Sequence, residues 1–224
     1  MSDRSVIYIT GTRADFGLMH STLTQINKSS NLSLSLIVTG MHLSNKYGYT
    51  IEEIKSSGIE IAGQVPVNLE PETGKTMSLA LSVMIAEFTK ILNEAKPDIV
   101  IVLGDRGEML AGAISCLHLG IPVAHIHGGE RSGTIDESIR HAISKLSHIH
   151  LTSTLESKSR LVSLGEVPAN IHVTGAPGLE GIKEQASLSR SDLISKFSLI
   201  ANTPICLLLF HPVVQESSSA GIQI

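Results

Sequence analysis

The chain has 224 residues, 42% of them hydrophobic, and a formal net charge of -4. That length suffices for one sizeable core, or for one domain and part of another, while the charge lacks the basic footprint of a nucleic-acid-binding protein. No apolar run is long enough to span a bilayer, and the amino terminus MSDRSVIYIT lacks the basic and apolar segments of a secretion signal, so a cytoplasmic protein is expected. Aromatic residues make up only 3%, with no Trp; the core must be aliphatic, as suits a parallel sheet of Val, Ile and Leu strands. Cys116 and Cys206 each sit inside an apolar run and read as reduced core thiols.

Strand and helix signals alternate along the chain. Val6 to Thr10 reads as a strand, GTRADFG (11–17) turns it into a helix reaching about Lys28, and Leu32 to Val38 is the next strand. After a Gly-containing loop comes a short helix over about Tyr49 to Ser56, then an extended segment, Ile59 to Val67, and a polar loop to Lys75. Leu81, Met84, Ile85, Phe88 and Leu92 have helical spacing within Thr76 to Ala95, which Pro97 stops. Ile99 to Leu103 is the most apolar strand, and Glu108 to Leu119 is a helix apolar on most sides. A strand at Ile149 to Thr152, a helix from Leu155 to Leu164 and a strand at Ile171 to Val173 complete a βα alternation. That alternation implies an α/β fold with a doubly wound parallel Rossmann-like sheet and right-handed crossovers. Residues 1–178 are expected to form this domain, 179–202 a polar linker, and 203–224 the first strand, Ile205 to Phe210, of a second domain.

The stretch from Pro122 to Ser147 concentrates the chemistry. A buried strand from Ile121 ends in His125 and His127, two glycines turn the chain, and a helix follows with Ile135, Ile139, Ile143 and Leu146 as its apolar stripe. His127, Glu130 and Asp136 therefore lie between the carboxyl end of a strand and the amino end of a helix, the edge where open α/β sheets bind ligands. Asp105 and Arg106 follow directly on the preceding strand. Asp105 either caps the next helix or, placed deep behind an apolar strand, transfers protons. Glu130 and Asp136 either serve the helix dipole, with Asp136 paired to Arg140 one turn on, or join Asp105 and His127 in one acid–base crevice. GTRADFG is not G-x-G-x-x-G, and no acidic residue follows the second strand to hold a ribose, which argues against a dinucleotide cofactor. The same loop offers backbone N–H groups and Arg13 to a phosphate, unless Arg13 is merely paired with Asp15 at the surface. His125, His127, His141, His148 and His150 crowd one region without the spacing of a metal site.

These motifs, GTRADFG at 11–17, VTGMHLSNKYG at 38–48, VLGDRGE at 102–108, HIHGGERSGTIDESIRHAISKLSH at 125–148, LTST at 151–154 and LLLFHP at 207–212, resemble the hydrolysing UDP-N-acetylglucosamine 2-epimerases of sialic-acid biosynthesis, the NeuC type. The resemblance implies the first domain of a two-domain, B-type glycosyltransferase-like (GT-B) fold and conversion of UDP-N-acetylglucosamine and water to N-acetylmannosamine and UDP. The reaction would run by elimination to a glycal and then hydration, with no metal and no redox cofactor. By motif position, Asp105 and Asp136 would be acid–base residues, with a further such role on His127, where several relatives carry Glu, or on Glu130. Arg13, Arg106 and His211 match positions expected to hold UDP. Family members form dimers or higher oligomers. With only the opening strand of a second domain, the chain is expected to have little or no epimerase activity alone. The alternatives are a hydrolysing epimerase of a UDP-diacetamido-trideoxyhexose in legionaminic acid synthesis, and a non-catalytic nucleotide-sugar binding module.

Overall fold

The computed structural model describes residues 4–210 and 220–223. Residues 1–180 form one compact unit and 181–224 another. In the first unit, strands and helices alternate as β1 (Arg4–Thr10), α1 (Arg13–Lys28), β2 (Leu32–Thr39), α2 (Ile51–Ser56), β3 (Glu60–Val65), α3 (Gly74–Ala95), β4 (Ile99–Leu103), α4 (Gly107–Leu119), β5 (Val123–Ile126), α5 (Ile135–Lys145), β6 (Ile149–Thr152), α6 (Leu155–Ser163) and β7 (Ile171–Val173). The strands make one sheet in the order β3-β2-β1-β4-β5-β6-β7. Every pairing in it is parallel, so all carboxyl ends share one edge. The order reverses between β1 and β4, the switch point at which such sheets open a crevice.

Side-chain alternation along the strands divides the core into two layers. Ile7 and Ile9 of β1, Ile37 of β2 and Val100 and Val102 of β4 pack with Met84, Phe88 and Leu92 of α3 and with Met109, Ala113 and Cys116 of α4. Val6 and Tyr8, Leu34, Leu36 and Val38, and Ile101 and Leu103 pack on the other face with Phe16, Met19 and Leu23 of α1 and Ile51 and Ile54 of α2. Being buried on both faces, these strands read as near-continuous apolar runs in the sequence.

The second unit contains α7 (Ile182–Gln185), α8 (Arg190–Phe197) and a short helix at Ala220–Gln223. Helix α8 lies within the segment expected to be a linker; Ser189 caps it in a reciprocal box with Asp192, a signature present in the sequence as S-x-x-D. Ile205 to Phe210, expected as a strand, takes up no regular structure. Leu207, Leu208 and Leu209 are largely exposed there. A strand exists through ladder bonds to a neighbour, and no described segment pairs with this one. Cys206 is accordingly exposed rather than a core thiol, while Cys116 is buried as expected, its thiol pushed up to about 12 by burial.

The entry into α1 fixes the switch-point edge. Thr12 caps the helix in a reciprocal box with Asp15. The buried Asp15 carboxylate also accepts from Tyr8 Oη at 3.1 Å, Thr10 Oγ1 at 2.5 Å, Gly11 N at 3.1 Å and Thr12 N at 2.7 Å. Asp15 is therefore no partner of Arg13, which instead meets Glu53 at 3.2 Å on the surface. Replacing Asp15 with Ala strands several buried donors at once and should lower unfolding free energy by about 3 kcal/mol or more. Urea denaturation checks this, and a loss below about 1 kcal/mol would contradict the account of the α1 entry.

Candidate active site

Three segments converge at the carboxyl edge beside the switch point. The loop after β4 presents Asp105, the loop after β5 presents His127 and Glu130, and α5 turns Arg140 back toward both. Arg140 Nη2 is hydrogen-bonded to Asp105 Oδ2, and Arg140 Nη1 donates to Glu130 Oε2 at 3.0 Å. Glu130 Oε1 accepts from His127 Nδ1 at 2.6 Å and from Ser153 Oγ, beyond the end of β6, at 2.5 Å. One guanidinium thus spans two carboxylates from different loops, and one of those carboxylates also holds the imidazole. The Arg140 side chain is only 11% exposed, against 23% for Asp105, 29% for Glu130 and 19% for the His127 side chain. These hydrogen bonds operate in a half-dry environment, where charge-assisted bonds are strong. The hydrogen bond from His127, helped by Ser153 and Arg140, holds Glu130 well below the usual carboxylate range, at about 2, against the opposing pull of burial.

The local backbone explains why these groups meet. His127 is the first residue past β5 and has φ 64, a left-handed conformation uncommon for a residue with a side chain. Its N–H still donates to Leu151 O at 3.0 Å, so the turn starts while the chain remains attached to β6. Such strain tends to persist where the surroundings over-determine it, often at functional sites. Gly129 (φ 79) continues the turn against α6, where an added Cβ would lie 2.4 Å from Ser157 O, and Arg160 Nη1 is hydrogen-bonded to the Gly129 carbonyl. Beneath the loop, buried His125 meets Gly104 O through Nε2 at 2.7 Å and Ser144 Oγ through Nδ1 at 3.0 Å. This ring ties β5 both to the residue before Asp105 and to the helix carrying Arg140. His125 lies inside β5 rather than at its end.

A second polar system occupies the β1–β2 side of the same edge. Glu108, buried at the start of α4, meets Arg106 Nη2 at 3.2 Å. A Cβ on Gly11 or on Gly40 would lie 2.7 or 2.9 Å from Glu108 Oε1, so only glycine lets the two loops close over this carboxylate. His42 links Thr10 Oγ1 (2.9 Å) to Thr50 Oγ1 (2.7 Å). The Gly11 and Thr12 amides point at Asp15, so of the N–H groups expected to receive a phosphate, those of Arg13 and Ala14 are left without a partner among the described residues.

The family description UDP-N-acetylglucosamine 2-epimerase matches residues 24–224. A UDP-N,N'-diacetylbacillosamine 2-epimerase (hydrolyzing) of Legionella pneumophila is 48% identical over 98% of this chain. A UDP-N-acetylglucosamine 2-epimerase of Neisseria meningitidis serogroup B is 37% identical over 96% of it. The chain belongs to the UDP-N-acetylglucosamine 2-epimerase family. It spans 58% and 56% of the length of these two relatives. The chain superposes on the crystal structure of another UDP-GlcNAc 2-epimerase from Neisseria meningitidis, bound to UDP-GlcNAc, with TM-score 0.74 and 22% identity over 88% of this chain and 54% of that one. It also superposes on the 2-epimerase from Rickettsia bellii, with TM-score 0.73 and 22% identity over 88% and 52%. At those identities the likeness speaks for the fold alone, an α/β architecture that spans about half of each of these solved chains.

Within this epimerase-family domain, Asp105, His127 and Glu130 come together as one hydrogen-bonded set. Asp136 stands outside it, exposed in the first turn of α5, its carboxylate bonded among the described residues only to Thr134 Oγ1 at 3.2 Å. The expected Asp136–Arg140 pair does not form, because the two less exposed carboxylates claim the guanidinium. The helical stripe is likewise shorter than expected: Ile139, Ile143 and Leu146 pack on the core, whereas Ile135 is exposed at the rim. Asp105 does not cap α4, whose N-cap is Arg106 without a side-chain cap bond. Arg13 and Arg106 both lie at the β1–β4 switch point, and His211 lies outside the described residues. Ser153 as a partner of Glu130, and Arg140 as the cation between Asp105 and Glu130, were not expected from sequence; the signal for Arg140 was the need of several acidic groups at one edge for a cation.

Burial of the His125 ring pulls it down to about 3 from the ordinary 6.5, and burial lowers His42 and His150 as well. Such histidines are neutral in the folded protein and protonate on unfolding. Stability is therefore full above pH 6.5 and declines as pH falls through the window down to about 3. Between about pH 6.5 and pH 5, His125 alone should remove about 2 kcal/mol. Urea midpoints across that range should fall for the parent and fall less for His125→Gln; equal slopes would contradict a neutral, buried ring.

Proposed function

We propose that this chain carries the acid–base half of a hydrolysing UDP-sugar 2-epimerase, in which a UDP-2-acetamido sugar and water give the C2-epimeric free sugar and UDP. The observation that carries this proposal is the set Asp105–Arg140–Glu130–His127, gathered at the switch-point edge of a sheet whose family relatives bear 2-epimerase names. Elimination needs one group to take the C2 proton while the C1–O bond breaks, and hydration of the resulting glycal needs a proton returned to C2 and a water added at C1. Asp105 and His127 are the groups assigned to these transfers. Asp136 sits one helical turn before Arg140 on α5, on the same face, and is open to a ligand approaching the edge. Arg13, in the first turn of α1, and Arg106 supply positive charge for the departing diphosphate, together with the unpartnered Arg13 and Ala14 amides. The surface pair of Arg13 with Glu53 is weak enough for the guanidinium to leave it for a diphosphate. His211 is assigned to the same group by motif position alone.

Two sugars are supported. The 48% identity to the Legionella protein favours UDP-N,N'-diacetylbacillosamine. The family description and the 37%-identical Neisseria protein favour UDP-N-acetylglucosamine, the substrate of the sialic-acid branch. A 34%-identical polysialic acid biosynthesis protein P7 of Escherichia coli favours that branch as well.

UDP release from each sugar nucleotide separates these readings. It is to be measured for the 224-residue chain and for the chain extended by the second half of the Legionella relative. The extended protein should turn over, with the diacetylated sugar preferred, and the chain alone should turn over little or not at all. His127→Asn, which tolerates a left-handed backbone, and Asp105→Asn should each lower turnover of the extended protein by about 10²- to 10⁴-fold while the fold is kept. Full turnover in either variant would remove that residue from the chemistry. Binding of UDP-sugar without turnover in the extended parent would favour the non-catalytic module.

A further inference from the structure

We infer that Glu130 is a positioning residue that fixes the His127 ring as the tautomer protonated on Nδ1, leaving Nε2 as the nitrogen that exchanges a proton with the substrate. This inference rests on the proposed epimerase role of His127. Three observations lead to it. First, Glu130 Oε1 lies 2.6 Å from His127 Nδ1, and no other described group meets the ring's nitrogens, so Nδ1 is engaged and Nε2 is open. Second, the carboxylate accepts from two further donors: Ser153 Oγ donates to the same oxygen at 2.5 Å and Arg140 Nη1 to the other at 3.0 Å. A group accepting from three donors, and held at about 2 by them, stays ionised at neutral pH and offers no proton of its own. Third, the His127 backbone is held in a left-handed conformation (φ 64) with its N–H on Leu151 O, which fixes the direction in which the side chain leaves the turn, on the side of Glu130.

An ionised acceptor on Nδ1 does two things for an imidazole. It selects the neutral tautomer whose Nε2 lone pair is free, and it stabilises the imidazolium once Nε2 has taken a proton. In the elimination step the C2–H bond breaks and its electron pair becomes the C1=C2 bond. As that bond forms the C1–O bond releases its pair to UDP, and the C2 proton ends on Nε2 while the Nδ1 proton stays on Nδ1, donated to Glu130. The charged groups of the cluster are Glu130, which meets the ring directly, Arg140 from α5, which meets Glu130, and Asp105 from the loop after β4, which meets Arg140. Arg140 neutralises one of the two carboxylates, so proton uptake at His127 leaves the cluster balanced. His125, directly beneath in β5, is neutral and adds no competing charge.

Side-chain ¹⁵N–¹³C NMR of the histidines in the 224-residue chain tests this, with His127 assigned by the signal lost in His127→Asn. The parent at mildly alkaline pH should show His127 protonated on Nδ1 and bare on Nε2. Glu130→Ala should shift it toward the Nε2–H tautomer that free histidine prefers. Nε2–H in the parent, or an unmoved tautomer in a folded Glu130→Ala, would overturn the inference. The parent spectrum decides even if the variant fails to fold. In the extended protein, Glu130→Gln should lower kcat by about 10- to 100-fold with KM little changed, the scale of losing a partner that orients a reacting side chain. A tautomer as stated, combined with full turnover in His127→Asn, would leave the positioning intact and sink the catalytic role it serves.

Discussion

One guanidinium holds the site together. Asp105 and Glu130 come from loops on neighbouring strands, and two carboxylates brought to one partly dry edge repel each other unless a cation lies between them. Arg140 is that cation, reaching back from the second turn of α5 with little exposure of its own. The planar fork of Arg, with donors on both terminal nitrogens, lets it address two carboxylates at once, which a Lys point charge does less well. Everything proposed for the chemistry, including the ring held by Glu130, depends on that contact.

Around the clamp, the fold supplies rigidity from beneath and leaves freedom above. His125 bolts the carbonyl before Asp105 to α5, and Gly129 lets the His127 turn press against α6. On the other side of the switch point, Asp15 takes the Gly11 and Thr12 amides of the β1 loop, while Glu108 pairs with Arg106 beneath Gly11 and Gly40. That half of the edge is built to hold its own shape first; what it can offer an anion is narrowed to Arg13, Ala14 and Arg106. Proton-transferring groups and cations for a leaving diphosphate therefore occupy adjoining parts of one edge.

The sheet was legible from sequence because its signals are local and mutually consistent. Apolar runs of strand length alternate with helical spacing, and Pro97 and the Gly120 cap mark helix ends. Ile205 to Phe210 shows where this fails: an apolar run announces burial, but a strand also needs a partner, which composition cannot reveal. Asp105, His127 and Glu130 were found because strand ends in a parallel sheet must share an edge. Arg140 was misassigned because i, i+4 spacing on a helix names a neighbour, whereas burial decides which carboxylate wins. The Nδ1 contact of His127 depends on a left-handed residue before two glycines, a conformation no propensity for His predicts.

The most direct measurement is a double-mutant cycle on folding stability with Asp105→Asn and Arg140→Gln, singly and together. If the guanidinium ties Asp105 into the cluster, the pair should couple by about 1 kcal/mol or more, within the range that contacting residues show. Losses that add within about 0.3 kcal/mol would mean the two side chains do not depend on each other, and the clamp would not be what holds the site.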